Sequence, residues 1–192
     1  MNDNNLREKR IDGSEVFSGK LLHVFHDRVI LPNGHETGRD LIRHVGAVCV
    51  VPITDDGNVI MERQYRYPVD EILWEIPAGK LDSKSEDKLE AVKRELREET
   101  GFTAREWIDL GFLYPTPAYS DEAIQIYIAK GLEKGEQDLD DDEFINVEQI
   151  KFESLIEMVM NGEIADAKTQ LALLKAKLYY IPSLQQCYQK SQ

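Results

Sequence analysis

Cysteine is scarce: the 192-residue chain holds two, Cys49 and Cys187. A disulfide scaffold is therefore not what organises it, and Cys49, inside the apolar run 47–51, reads as a small buried hydrophobe. Long apolar runs are missing too. No stretch approaches the roughly 18 to 20 apolar residues that span a bilayer, and the first ten residues, MNDNNLREKR, carry no apolar leader core. The simplest expectation is a cytoplasmic protein with no membrane partner. Positive charge is in short supply, with 23 Lys and Arg against 36 Asp and Glu, a net of −13. Binding nucleic acid by neutralising its phosphates needs a basic face that this balance does not promise, so no nucleic-acid partner is expected. A phosphate ligand bridged by a metal cation stays open. What is present, 42% hydrophobic and 31% charged residues, suits a globular domain with a real core rather than a disordered chain.

Along residues 21–53 the pattern is short, β-branched and punctuated by turns, with Asn33-Gly34 as a hairpin signal. A strand resumes over 59–67 and meets Pro68, which interrupts any ladder it enters. The loop Ile76-Pro77-Ala78-Gly79 then precedes a helix predicted over 85–100, with Gly101 as its stop and Ser85 or Asp82 as its cap. Strand-like sequence over 112–129 is broken by Pro115 and Pro117, and an acidic stretch follows. Two helical patterns close the chain, 152–160 and 166–180, the latter with Leu171, Leu174 and Leu178 at helical spacing. Strands first, a helix in the middle and helices last predict an α/β fold. Its mixed sheet lies between helices, with an extra β element at the N-terminus.

On a wheel of about 100° per residue, Leu89, Val92 and Leu96 form the buried stripe of the central helix. Glu95, Glu98 and Glu99 share a neighbouring sector. Like charges at this spacing repel by a few tenths of a kcal/mol per pair, and Arg94 recovers only part of that through Glu98. A solvated acidic face is one account of the cluster. The other is an oxygen-ligand set for Mg²⁺ or Mn²⁺, the hard cations that keep waters and bind phosphates.

The segment containing these acids resembles the signature box of the Nudix hydrolases: G, five residues, E, seven residues, then R-E-U-x-E-E-x-G-U, with U apolar. Glu86, seven residues, and 94–102, RELREETGF, match every specified position. One departure exists, because six residues, KLDSKS, separate Gly79 from Glu86. The resemblance implies an α/β/α sandwich over residues 44–192, preceded by an N-terminal β element over 1–43. It also implies Glu95, Glu99 and the carbonyl of Ala78 as metal ligands, and Glu98 as a catalytic acid that binds metal directly or through water. Arg94 would orient these carboxylates and Glu86 would cap or pair within the box.

Substrate has to be read outside the box. Pro117 stands sixteen residues after Gly101, an offset similar to the ADP-ribose pyrophosphatase branch of the family, where it marks the substrate loop. Residues 62–80, ERQYRYPVDEILWEIPAGK, look like the strand and loop ahead of the box in the same branch. In that segment Arg66 is the candidate for the diphosphate or the terminal ribose phosphate, because its planar fork suits phosphate oxygens; a surface ion pair with Asp70 or Glu71 is the alternative. Glu75 is the candidate acceptor of a substrate hydroxyl, and Trp74 and Tyr65 are expected to be core aromatics. The resemblance also implies a general base in an acidic loop about forty residues beyond the box, with Glu143 first and Asp141 second. The expected activity is Mg²⁺-dependent cleavage of ADP-ribose to AMP and ribose 5-phosphate, by a homodimer that exchanges its N-terminal strands. The alternatives are a nucleotide-sugar pyrophosphatase acting on GDP-mannose or UDP-glucose, and a non-catalytic ADP-ribose sensor. His23, His26, His35 and His44 show no metal spacing and receive no role.

Overall fold

The computed structural model describes residues 3–141 and 143–180, so Cys187 lies outside the described residues. Two compact units divide the chain: Met1–Gly46 with Thr116–Glu122, and Ala47–Pro115 with Ala123–Gln192.

The first unit is an antiparallel meander in the order β1 (Lys9–Ser18), β2 (His23–Ile30), β3 (Glu36–Ile42). The Asn33-Gly34 signal is a turn between β2 and β3, where Gly34 takes φ 87° and its N–H donates to the Leu31 carbonyl at 2.9 Å. β1 was not legible in the sequence, because it is exposed along its whole length and shows no alternation of apolar with polar residues. His23 and His26 each face a carboxylate at 2.7 Å, Glu15 and Asp40 respectively. In the segment Thr116–Glu122, Pro117 lies in a turn closed by the Tyr119 and Ser120 N–H groups on the Thr116 carbonyl.

The second unit holds two sheets. One runs β7 (Ala78–Lys80), β4 (Ala47–Pro52), β9 (Ile124–Lys134), β8 (Phe102–Leu113), with β4 parallel to β9 and the other pairs antiparallel. The second is β10 (Ile145–Lys151), β5 (Asn58–Arg66), β6 (Glu71–Glu75), antiparallel throughout. β4 is buried on both faces, as a continuous apolar run requires. Its odd positions Ala47, Cys49 and Val51 join Ile124, Ile126 and Ile128 of β9 in one core with Leu155 and Val159 of α2 (Phe152–Asn161) and Ala172, Leu173 and Ala176 of α3 (Ala167–Tyr179). Its even positions face the other way, toward α1 (Lys88–Thr100), which buries Ala91, Val92 and Leu96. Helices thus cover both faces of a mixed sheet, the expected α/β sandwich.

Several local expectations need correction. α1 starts at Lys88, not 85, and its cap is Asp87, whose carboxylate accepts from the Leu89 and Glu90 N–H groups; Ser83 and Ser85 instead bond to each other in the preceding turn. Leu89 is only half-buried and Ala91 takes its place in the stripe. Ala78-Gly79 is a short strand on β4 rather than loop. In α3 the predicted leucine stripe is only partly in the core: Leu174 packs against it half-buried while Leu171 and Leu178 are exposed, and the fully buried face is Thr169, Ala172, Leu173 and Ala176. Tyr65 is exposed, donating its hydroxyl to Asp70, while Trp74 packs on the core under the Arg63 guanidinium, 5.0 Å from the ring centre.

Candidate active site

α1 carries its acids into a cavity of about 260 Å³ lined by Ala78, Gly79, Glu95, Glu98, Glu99 and, from the acidic loop, Asp138, Asp140 and Glu143 among others. Glu99 is buried to 5% exposure, which rules out a solvated acidic face. Its carboxylate accepts from the Ala78 N–H at 2.9 Å. Burial, then the charges of Glu62 and Glu95, hold its pKa well above the ordinary carboxylate range. Burial raises Glu95 to about 7 despite Arg94 beside it, with Glu98 and Glu143 adding to the rise.

Arg94 spans the cluster. One amino group reaches Glu95 at 2.7 Å and Glu98 at 3.4 Å, and the other reaches Glu86 at 3.3 Å. Burial works against its charge, but Glu95 and Glu86 outweigh this and push its pKa further up. Glu86 also accepts from the Asp82 N–H at 2.5 Å, and residues 82–85 ahead of it form an exposed turn. Gly79 keeps a close approach: a Cβ there would stand 2.0 Å from the Glu95 carboxyl carbon.

The acidic loop is held by the C-terminal end of α1. Gly101 closes the helix at φ 76°, and its carbonyl accepts from the Gly135 N–H. The Glu98 and Glu99 carbonyls accept from the Asp138 N–H at 2.9 Å and the Gln137 side chain at 2.5 Å. These bonds bring the half-buried Glu143 to the cavity, and Asp140 with it, while Asp141 lies in an exposed turn outside the lining.

Arg66 and Glu75 meet each other on β5 and β6 rather than standing apart, and the guanidinium takes Glu75, not the expected Asp70 or Glu71, as its carboxylate. Glu75 is 3% exposed and is also gripped by Lys168. Burial alone would raise its pKa, but Arg66 and Lys168 outweigh that and lower it.

Two residues here escaped the sequence reading. Lys168 sits in the first turn of α3, where Asp166 caps the helix and Thr169 accepts from the Ile76 N–H at 3.1 Å. Glu62 follows the buried run Val59, Ile60 and Met61 on β5 and lies directly across from Glu75. Only the β5–β6 register, which a single strand does not reveal, could have found it.

Apart from the cationic Lys80 and Arg94, the polar side chains lining the cavity are carboxylates, the oxygen chemistry that suits a hard divalent cation. Among the described residues no three acidic, histidine or cysteine side chains form a finished metal cage, because Glu95 and Glu98 are turned onto Arg94. The charge balance still fits a cation: Glu62 and Glu99 are buried beside each other with no cationic side chain bonded to either.

The chain is similar to known proteins. The chain is 39% identical over 170 residues to an ADP-ribose pyrophosphatase of Bacillus subtilis (strain 168), covering 88% of this chain and 91% of that one. It is equally 39% identical over 168 residues to a methanol dehydrogenase activator of Bacillus methanolicus, covering 86% and 90%. A solved structure of an ADP compounds hydrolase superposes with a TM-score of 0.81 over 91% of this chain and 95% of its own; at 23% identity it bears on the fold alone. The NUDIX domain model matches residues 43–172, a span that holds α1, the acidic loop and every residue lining the cavity. The chain therefore belongs to the Nudix hydrolase family.

Proposed function

We propose that the protein hydrolyses the diphosphate of ADP-ribose, releasing AMP and ribose 5-phosphate, with Mg²⁺ as the working cation and Mn²⁺ as a substitute. The observation that carries this reading is the convergence of Glu95, Glu98, Glu99 and Glu143 on one cavity, in a chain 39% identical to an ADP-ribose pyrophosphatase. Glu95, Glu99, Glu98 and the Ala78 carbonyl would hold the metal, which when bound neutralises the diphosphate and polarises its phosphorus.

The remaining work falls to the protein's own groups. Arg94 and Glu86 keep the acids of α1 in register. Glu143 accepts the proton of the attacking water as the oxygen–phosphorus bond forms and the bridging bond breaks, and Asp141 is the reserve for that role. Arg66, held flat by Glu75, positions the diphosphate or the terminal ribose phosphate, Glu75 is the candidate acceptor of a substrate hydroxyl, and Pro117 marks the ADP-ribose branch. Exchange of the 1–43 element between two copies would cover exposed Ile11, Val16 and Phe17, and a cytoplasmic setting accords with the described residues having no helix that could cross a membrane.

The test is a substrate panel with Mg²⁺ and with EDTA, scoring AMP from ADP-ribose against GDP-mannose, UDP-glucose, NADH and diadenosine polyphosphates. Preference for ADP-ribose that vanishes with EDTA is expected. Preference for a nucleotide sugar would replace the substrate, and binding without turnover would favour the sensor. The likeness to a methanol dehydrogenase activator favours one second reading, action upon another enzyme, and adding the chain to a dehydrogenase assay tests it.

A further inference from the structure

Resting on the reading of the cavity as a metal site, we infer that Glu62, from β5 and outside the helix motif, supplies a further carboxylate to the divalent cation that Glu99 holds. Glu62 is 3% exposed, and its Oε1 is buried with no hydrogen-bond partner. A buried carboxylate oxygen with no donor is costly in a folded protein, and a cation is one of the few groups that can compensate it.

The neighbouring cations are committed elsewhere. By register Glu62 shares a sheet face with Glu75, but Arg66 gives Glu75 a two-bond fork and Lys168 donates to Glu75 and Asp166. Arg63, the next residue on β5, points to the opposite face and stacks on Trp74. Glu99 lines the cavity from α1 with the Ala78 N–H as its donor, and Glu62, which lies behind that lining on β5, is near enough for its charge to act on Glu99. Two buried carboxylates from different elements thus lie within electrostatic reach of each other, and among the described residues no hydrogen bond from a cationic side chain reaches either. A divalent ion here would meet oxygen donors already desolvated.

Mn²⁺ binding to the purified whole chain, followed by electron paramagnetic resonance and by the Mn²⁺-induced rise in Tm, tests this without measuring turnover. Glu62→Gln keeps the shape and removes the charge; Glu62→Val gives the strand an apolar residue beside Met61. Both are expected to weaken the tightest Mn²⁺ site at least tenfold and to shrink the Tm rise, with an unchanged circular dichroism spectrum and a metal-free Tm no lower than wild type. Glu99→Gln serves as the reference. If it loses Mn²⁺ while both Glu62 variants stay within twofold of wild type, the Glu62 inference is overturned and the metal site stands. If Glu99→Gln also binds as wild type, the metal reading of the cavity fails and the inference goes with it.

Discussion

Arg66 and Glu75 form a two-bond pair, Nε to Oε1 at 2.6 Å and Nη2 to Oε2 at 2.7 Å, with Glu75 buried and Arg66 partly open to solvent. Each was singled out from the sequence as a substrate contact, and the fold joins them before any substrate arrives. Glu75 acts first as the residue that fixes the plane and direction of the guanidinium.

The pair should therefore fail asymmetrically. Arg66→Ala leaves Glu75 to Lys168 alone and is expected to destabilise by about 2 kcal/mol, below the roughly 3 to 5 kcal/mol of a fully buried pair because Arg66 is partly exposed. Arg66→Lys should keep most of the stability and still raise KM, since an ammonium cannot reproduce the fork. Thermal melts and steady-state kinetics on both variants separate the two effects; an unchanged KM in each would take Arg66 away from the substrate.

Gly79→Ala puts a methyl group where the Glu95 carboxylate stands. The side chain has to leave, so kcat is expected to fall about a hundredfold, as for a small misplacement of a reacting group. Tm should change far less. Full activity in this variant would show that Glu95 works from another position.

Gly101→Ala meets two obstacles, a φ of 76° and the backbone of 135–137 within about 3 Å of the new Cβ. A loss of about 1 to 2 kcal/mol is expected from the backbone conformation and the contact together. Because that loop carries Asp140 and Glu143 to the cavity, kcat should drop as well. Denaturant melts and kinetics on the same preparation check both.

Glu143→Gln should lower kcat by about two to four orders of magnitude, the usual worth of a positioned base, with little change in Mn²⁺ affinity. Asp141→Asn, in the exposed turn, should stay near wild type. Reversed results in the two rate measurements would move the base to Asp141.

Without metal, stability should decline as pH rises. Burial raises the folded pKa of Glu62 to about 8 and of Glu95 to about 7, each above its ordinary value of 4.5. Between these limits the unfolded chain holds fewer protons than the folded one, so the slope of unfolding free energy with pH is negative for these groups. Tm of the EDTA-treated protein should fall from pH 5 to pH 8, and Mg²⁺ should recover most at the upper end. A metal-free Tm that rises across this window would contradict the burial of these acids as charged groups.

What the sequence determined by itself is local. The spacing of Arg94, Glu95, Glu98 and Glu99 on a 3.6-residue helix fixes their shared face wherever the helix packs, Gly101 ends it through its φ, and Asn33-Gly34 turns β2 into β3. The tertiary structure decided what is set by register and approach. Lys168 and Glu62 reach Glu75 only because α3 docks on the strands and β5 pairs with β6 in one register. It also set which face of α3 is buried, Thr169, Ala172, Leu173 and Ala176, leaving Leu171 and Leu178 exposed, which the spacing of the leucines alone did not reveal. Chain-distant contacts leave no period in a single sequence; Lys168 beside Glu75, and Glu62 and Glu143 beside Glu99, are of that kind, whereas Glu95 acts on Glu99 through helical spacing the sequence does show.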